Sequence, residues 1–162
     1  MDINRAASQM AGTVVAQVNP QMPRTFGDTF IHVTQIHHFV EHDEPLLEML
    51  YAEESAVAER IAKYVSSLVD DGATVQIGVG RMANAVLRSL GDKVDLGIHG
   101  EILTDAHLFL AEKGVATGRK KTLHNGKMIA SLCLGTRQLY RFVHNNPEVE
   151  FHPIDYVNWF GA

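Results

Sequence analysis

Chemistry at a protein site needs a reactive side chain and something to stabilise the charge it moves, and one stretch of this sequence offers both. Gly78, Val79 and Gly80 follow the short apolar run 75–77, and Arg81 and Met82 then open a helical pattern. Glycines at 78 and 80 let the chain turn sharply with its N–H groups exposed, because neither carries a Cβ to bar positive φ or the approach of a ligand. Glu101 closes the same stretch, an anionic side chain beside a donor-rich cradle. The spacing also fits a second chemistry. Gly78, Gly80 and Ala83 match G-x-G-x-x-A, and an acid about 20 residues further on completes a dinucleotide-binding fingerprint with Glu101 on a ribose. Two-glycine turns also occur in α/β proteins that bind no nucleotide.

Other reactive residues give weaker patterns. Nine histidines raise metal binding. His37, His38 and His42 cluster, but neighbours in an extended segment face opposite sides and no cysteine or acid completes the set, so no metal site is expected. His99 shares a face with Glu101 if its strand continues, and is read as filling the sheet edge. His124 and His152 are read as loop and strand-end residues with local hydrogen bonds, and Asp28 with Arg24 and Asp43 with Glu44 as loop groups. Cys133, the single cysteine, stands in the apolar run 128–134 without a disulfide partner or an evident base, as a buried side chain in a reducing compartment would. No serine has the setting of a nucleophile elbow.

The elements that must position Glu101 follow from periodicity. Met82, Ala85, Val86, Ser89 and Leu90 recur at helical spacing with Gly91 after them, and Val94, Leu96 and Ile98 alternate as a strand does. Residues 75–101 therefore read as strand, helix, strand. A crossover of this length joins parallel strands, so Glu101 and the 78–80 turn meet at the edge where open α/β sheets bind ligands. The helix points its unpaired N–H groups at that edge.

Upstream, the spacing predicts a helix over 53–69 with its apolar stripe on Ala56, Val57, Arg60, Ile61, Tyr64, Val65, Leu68 and Val69. A short helix over 4–11, a strand over 14–18 and extended pieces at 30–33 and 36–40 precede it. Two prolines and Gly27 rule out regular structure over 19–28. Downstream, Thr104 or Asp105 caps a helix to Lys113, Asn125-Gly126 suits a hairpin, 128–134 is a strand covered on both faces, and 136–145 is a helix before a strand at 149–152. The fold class is α/β, mainly a parallel sheet of βαβ units.

Composition narrows the function. The chain has 162 residues, 46% hydrophobic and 20% charged, which is ordinary for a globular domain. A formal net charge of −5 argues against a general nucleic-acid surface, and the basic run Arg119, Lys120, Lys121 reads as a solvated loop. No run approaches a membrane span, and the first residues lack the apolar region of a secretory signal, so a cytoplasmic location is expected.

Five stretches converge on one family. VNPQMPRTFGDTFIHV (18–33), DDGATVQIGVGRMANAVL (70–87), DLGIHGE (95–101), EKGVATGRKKTLHNGK (112–127) and VEFHPIDYVN (149–158) resemble the acetyl-CoA hydrolase and transferase family, in its 4-hydroxybutyrate CoA-transferase branch. The likeness runs in order from about residue 4 to 158 and displaces the dinucleotide reading. It implies a CoA-transferase fold and a glutamate nucleophile: the acid after the family's I-H-T motif attacks an acyl-CoA thioester, and that role falls on Glu101. It also implies that Gly78, Val79, Gly80, Arg81 and Met82 hold coenzyme A and the thioester oxygen. Coenzyme A is then a substrate, with no permanently bound cofactor, and the partners are an acyl-CoA and a small carboxylate such as acetate or 4-hydroxybutyrate.

The likeness also carries departures. The family has threonine where this chain has Gly100, proline near Ala83, and glycine where this chain has Ala106. Family members extend further in both directions, so the chain reads as a central segment: residues 1–45 as the end of a first domain with its linker, and 46–162 as the opening half of a second. Uncovered apolar surface and an open sheet edge are then expected to drive homo-oligomerisation or pairing with a complementing chain. Alternatives are an acyl-CoA hydrolase, a non-catalytic remnant that keeps the fold, and a dinucleotide-binding domain.

Overall fold

The computed structural model describes residues 3–50 and 55–159. In chain order the elements are α1 (Asn4–Met10), β1 (Val15–Val18), β2 (Phe26–Gly27), a 3₁₀ turn (Val33–Gln35), β3 (His38–Glu41), α2 (Ala56–Ser67), β4 (Thr74–Val75), α3 (Arg81–Ser89), β5 (Gly97–Ile98), β6 (Ile102–Leu103), α4 (Asp105–Glu112), β7 (Met128–Ala130), β8 (Leu132–Cys133), α5 (Arg137–Val143), β9 (Val149–Phe151) and α6 (Ile154–Val157).

Every strand pairing among the described residues is parallel. β4 lies on β5, β7 on β9 and β9 on β2, and a bridge between His99 and Ile129 joins the two groups, giving the order β2-β9-β7-β5-β4. β1 and β3 pair separately. Leu87, Leu90, Leu96, Ile98, Leu103 and Leu139 form the centre of the core, each no more than 2% exposed.

The central sheet breaks at one level. Both β5 and β7 stop short and resume as β6 and β8, which pair with each other. At the break the Glu101 carbonyl accepts hydrogen bonds from the N–H groups of both Ser131 (2.8 Å) and Leu132 (3.1 Å). Two donors on one carbonyl is the arrangement of a β-bulge, which bends a strand and re-aims the side chain beside it. The expected unbroken strand over 128–134 is therefore two short strands around Ser131.

The helix ends follow local rules. Ser55 caps α2 through its side chain, which accepts from the Ala58 N–H. Thr104 and His107 form a reciprocal capping box on α4, where His107 Nδ1 accepts from the Thr104 N–H at 3.0 Å. The Asp105 carboxylate accepts from the N–H and hydroxyl of Thr136 and so holds the start of α5 against α4.

Four local expectations are corrected. α2 forms, residue 53 lying outside the described residues, but its buried face is Ala58 and Ala62 against Ala85 and Val86 of α3. Val57, Ile61, Tyr64, Val65 and Leu68 are exposed, because small residues let the two helices approach closely and turn the larger stripe outward. The Asn125-Gly126 turn exists, with His124 and Gly126 at positive φ, but it precedes a strand that pairs in parallel and makes no hairpin. Residues 26–27 are a short strand rather than irregular: Gly27 has φ of 93° and lies so close to Phe151 that a Cβ would reach its carbonyl. The extended piece expected at 30–33 gives way to the 3₁₀ turn, which the His32 ring caps by accepting from the Thr34 N–H.

Candidate active site

Parallel register sets the site. Thr74 pairs with Gly97 and Val75 with Ile98, so the chain leaves β4 and β5 at the same edge, and His99 N–H donates to the Val75 carbonyl at 3.2 Å. One residue on, Gly100 is packed against Gln76: a Cβ at position 100 would lie 3.2 Å from Gln76 Cγ and 3.6 Å from its Cα. Ile77 then anchors the turn by packing against both the main core and the α2–α3 cluster. Gly78 and Val79 are exposed, and Gly80 caps α3 with φ of 128° and ψ of 168°, a conformation essentially reserved for glycine. Arg81 and Met82, in the first turn of α3, are exposed as well. Ala83 keeps in that turn an N–H that a proline would lack.

Glu101 is exposed, and its main chain is held by the bulge described above. The arrangement is a solvent-facing carboxylate at the end of one parallel strand, beside a strand that leads into a glycine turn and a helix N-terminus. The first N–H groups of a helix have no partner within it and carry partial positive charge. Such a pairing can deliver a carboxylate to a carbonyl carbon and stabilise the oxyanion that forms.

Sequence reasoning missed Lys121. Read there as part of a solvated loop, it is 5% exposed, and its ammonium donates to the carbonyls of Ile98 (3.0 Å) and Lys127 (2.8 Å). Its stem crosses Gly97, where a Cβ would fall 2.5 Å from Lys121 Cγ. Burial lowers its pKa to about 8, with Glu150 opposing the shift. It braces β5, which leads to Glu101. The only trace in the sequence is a glycine inside a strand pattern, which marks a close approach without saying what approaches.

The strand that would align His99 with Glu101 breaks at Gly100, and the His99 ring stands with His124, 6.5 Å between centroids. Burial first, then Lys121, lowers its pKa against a hydrogen bond with the Val157 main chain. His37, His38 and His42 are exposed in and beside β3. Asp28 pairs with Arg5, not Arg24, whose guanidinium lies over Phe26 and Phe30. Cys133 is half-buried, and burial raises its thiol to about 11, which keeps it protonated and unreactive. A depression of about 300 Å³ beside α5, lined by Gln21, Glu48, Arg137 and Tyr140, does not include Glu101.

Comparison with known proteins gives this arrangement its family. No protein-family model matches the chain. It is 45% identical over 157 residues to the 4-hydroxybutyrate coenzyme A transferase of Clostridium kluyveri, covering 97% of this chain and 37% of that protein. It is 44% identical to the succinyl-CoA:cyclohexane-1-carboxylate CoA transferase of Geobacter metallireducens, covering 94% and 35%. The crystal structure of a 4-hydroxybutyrate CoA-transferase from Porphyromonas gingivalis superposes with a TM-score of 0.92 at 44% identity, over 97% of this chain and 40% of that one. The chain belongs to the CoA-transferase family. It spans somewhat over a third of the length of the relatives it matches.

No helix among the described residues is long and apolar enough to cross a membrane.

Proposed function

We propose that this chain carries the acyl-transfer centre of a CoA-transferase, with Glu101 as nucleophile and residues 78–82 as the cradle for coenzyme A and the thioester oxygen. The observation that carries this reading is the packing of Gly100 against Gln76, which keeps the carboxylate-bearing strand end beside the strand that runs into the glycine turn. Glu101 attacks the acyl-CoA carbonyl, the C–S bond breaks, and an acyl-glutamyl anhydride and CoA thiolate form. The thiolate attacks the glutamyl carbonyl, releasing the acyl group as a carboxylate and leaving a glutamyl-CoA thioester. An acceptor carboxylate of the acetate or 4-hydroxybutyrate type reverses these steps and leaves as its CoA ester, so the thioester energy is conserved. Each addition develops an oxyanion, for which one well-aimed N–H donor supplies roughly 3 kcal/mol.

A second reading, acyl-CoA hydrolysis, is favoured by one observation: Glu101 is exposed, so water reaches any intermediate formed on it. Incubation with acyl-CoA and intact-mass analysis tests both. A CoA adduct that is absent in Glu101→Gln supports the nucleophile. Its turnover by acetate marks transfer, and turnover by water alone marks hydrolysis. A chain that never acquires the adduct is a non-catalytic remnant, and saturable NAD binding without CoA binding would return the dinucleotide reading.

The exposed apolar stripe of α2 is the surface we assign to the remainder of the working enzyme, supplied by a second copy or by a complementing chain.

A further inference from the structure

Glu150 and His152 alternate along the end of β9 and share a face, the one that Ile129 and His99 occupy in register. His124 reaches that face from the turn before β7. Its own φ is 53°, the Lys127 N–H closes the turn on its carbonyl, and the Asn125 amide ties the turn back to the Arg119 and Lys121 carbonyls. The His124 ring is thereby laid 5.4 Å from that of His152. Glu150 Oε2 then stands 3.6 Å from His124 Nδ1 and 3.2 Å from His152 Nε2, and the three residues offer donor atoms all within 4.8 Å of one another.

These separations match a coordination shell. Donors about 2.0–2.1 Å from a tetrahedral ion lie about 3.4 Å apart. The remaining atoms of two of the ligands are already engaged, as outer partners of a metal site are. His124 Nε2 lies 2.5 Å from the Tyr156 hydroxyl, which leaves Nδ1 for the ion, and Glu150 Oε1 lies 3.2 Å from Lys127 Nζ, while Oε2 shares a hydrogen bond with His152 Nε2 that an ion between them would replace. All three ligand side chains are about four-fifths buried.

We propose that His124, Glu150 and His152 form a site for a divalent transition-metal ion of the zinc, cobalt or nickel class, with a further position open to a small ligand. Two imidazoles among three donors favour these ions over magnesium or calcium, which take oxygen. The ion joins the 124–127 turn to the end of β9. The inference does not depend on the role given to Glu101.

Titration of the chain with cobalt(II), followed by its visible d–d absorption and by zinc competition, tests the site. Saturation at one ion per chain is expected, with affinity lowered about a hundredfold in His152→Asn or His124→Asn. Tyr156→Phe, which removes only an outer partner, should lose about tenfold. Circular dichroism of the metal-free variants establishes that each is folded. Absence of a saturable band overturns the proposal, as does unchanged affinity in the histidine variants. Should either histidine variant fail to fold, unchanged affinity in Tyr156→Phe overturns it.

Discussion

Gly100 and Gln76 touch across the ends of β5 and β4, so close that a Cβ at position 100 would stand 3.2 Å from Gln76 Cγ. Gln76 is exposed and its side chain can rotate aside, so the position accepts a larger residue. Gly100→Thr should fold with stability within about 1 kcal/mol of the parent by chemical denaturation. By restricting the main chain before Glu101 it should speed CoA-adduct formation by about tenfold, given that small displacements at a reacting centre carry large penalties. A slower adduct would mean that this chain needs the freedom glycine provides.

The two glycines of the turn should fail in different ways. Neither has an atom within 4 Å of a built Cβ, but Gly80 sits at φ 128° and Gly78 is not in the left-handed region. Gly80→Ala should destabilise the fold by about 1–3 kcal/mol through backbone strain. Gly78→Ala should leave the unfolding midpoint unchanged while weakening CoA binding, measured by calorimetry, because its methyl group would stand in the cradle proposed for coenzyme A. Equal stability losses in the two variants would contradict this division.

Lys121 and Gly97 form a matched pair. Gly97→Ala brings a methyl within 2.5 Å of Lys121 Cγ and 2.6 Å of Thr74 Oγ1, and overpacking of this kind costs about 1–3 kcal/mol. Lys121→Met strands the Ile98 and Lys127 carbonyls, at a similar cost of about 1–3 kcal/mol. Urea titrations of both variants measure these losses, and a neutral Lys121→Met would remove the bracing role.

His107 should make the fold sensitive to acid. It is buried, and desolvation lowers its pKa from 6.5 to about 4, so between these values the unfolded chain binds a proton that the folded chain does not. Its contribution is complete above pH 6.5 and is lost as pH falls toward 4, amounting to about 1 kcal/mol between pH 7 and 5.5. His107→Gln keeps the capping-box pattern with Thr104 and removes the titrating group. Its stability should fall less over that interval, and an unchanged pH slope would exclude His107 as the source.

The outward stripe of α2 predicts association. Tyr64 is 77% and Leu68 83% exposed, beside Ile61 and Val57. Size-exclusion chromatography should find species larger than one chain, and the pair Ile61→Lys, Leu68→Lys should shift them toward the monomer. A parent chain that elutes as a cooperative monomer would refute a self-association surface.

What was legible in the residues alone was local. Helical spacing located α3, α4 and α5, and Thr104, Gly114 and Pro147 marked ends, because caps and breakers act within a few residues. Five stretches in order along the chain named a family that the comparisons bear out, since the residues that carry such a likeness are read position by position. What tertiary structure alone decided depended on partners far along the chain. Ala58 and Ala62 became the buried face of α2 only because Ala85 and Val86 let α3 approach. The sheet breaks where Ser131 and Leu132 share the Glu101 carbonyl, and Lys121 is buried because Gly97 leaves it a path. His124 joins Glu150 and His152 through a left-handed turn and a parallel register. Periodicity reports which face of an element is apolar, whereas contact between distant residues determines which face is covered and which polar groups meet.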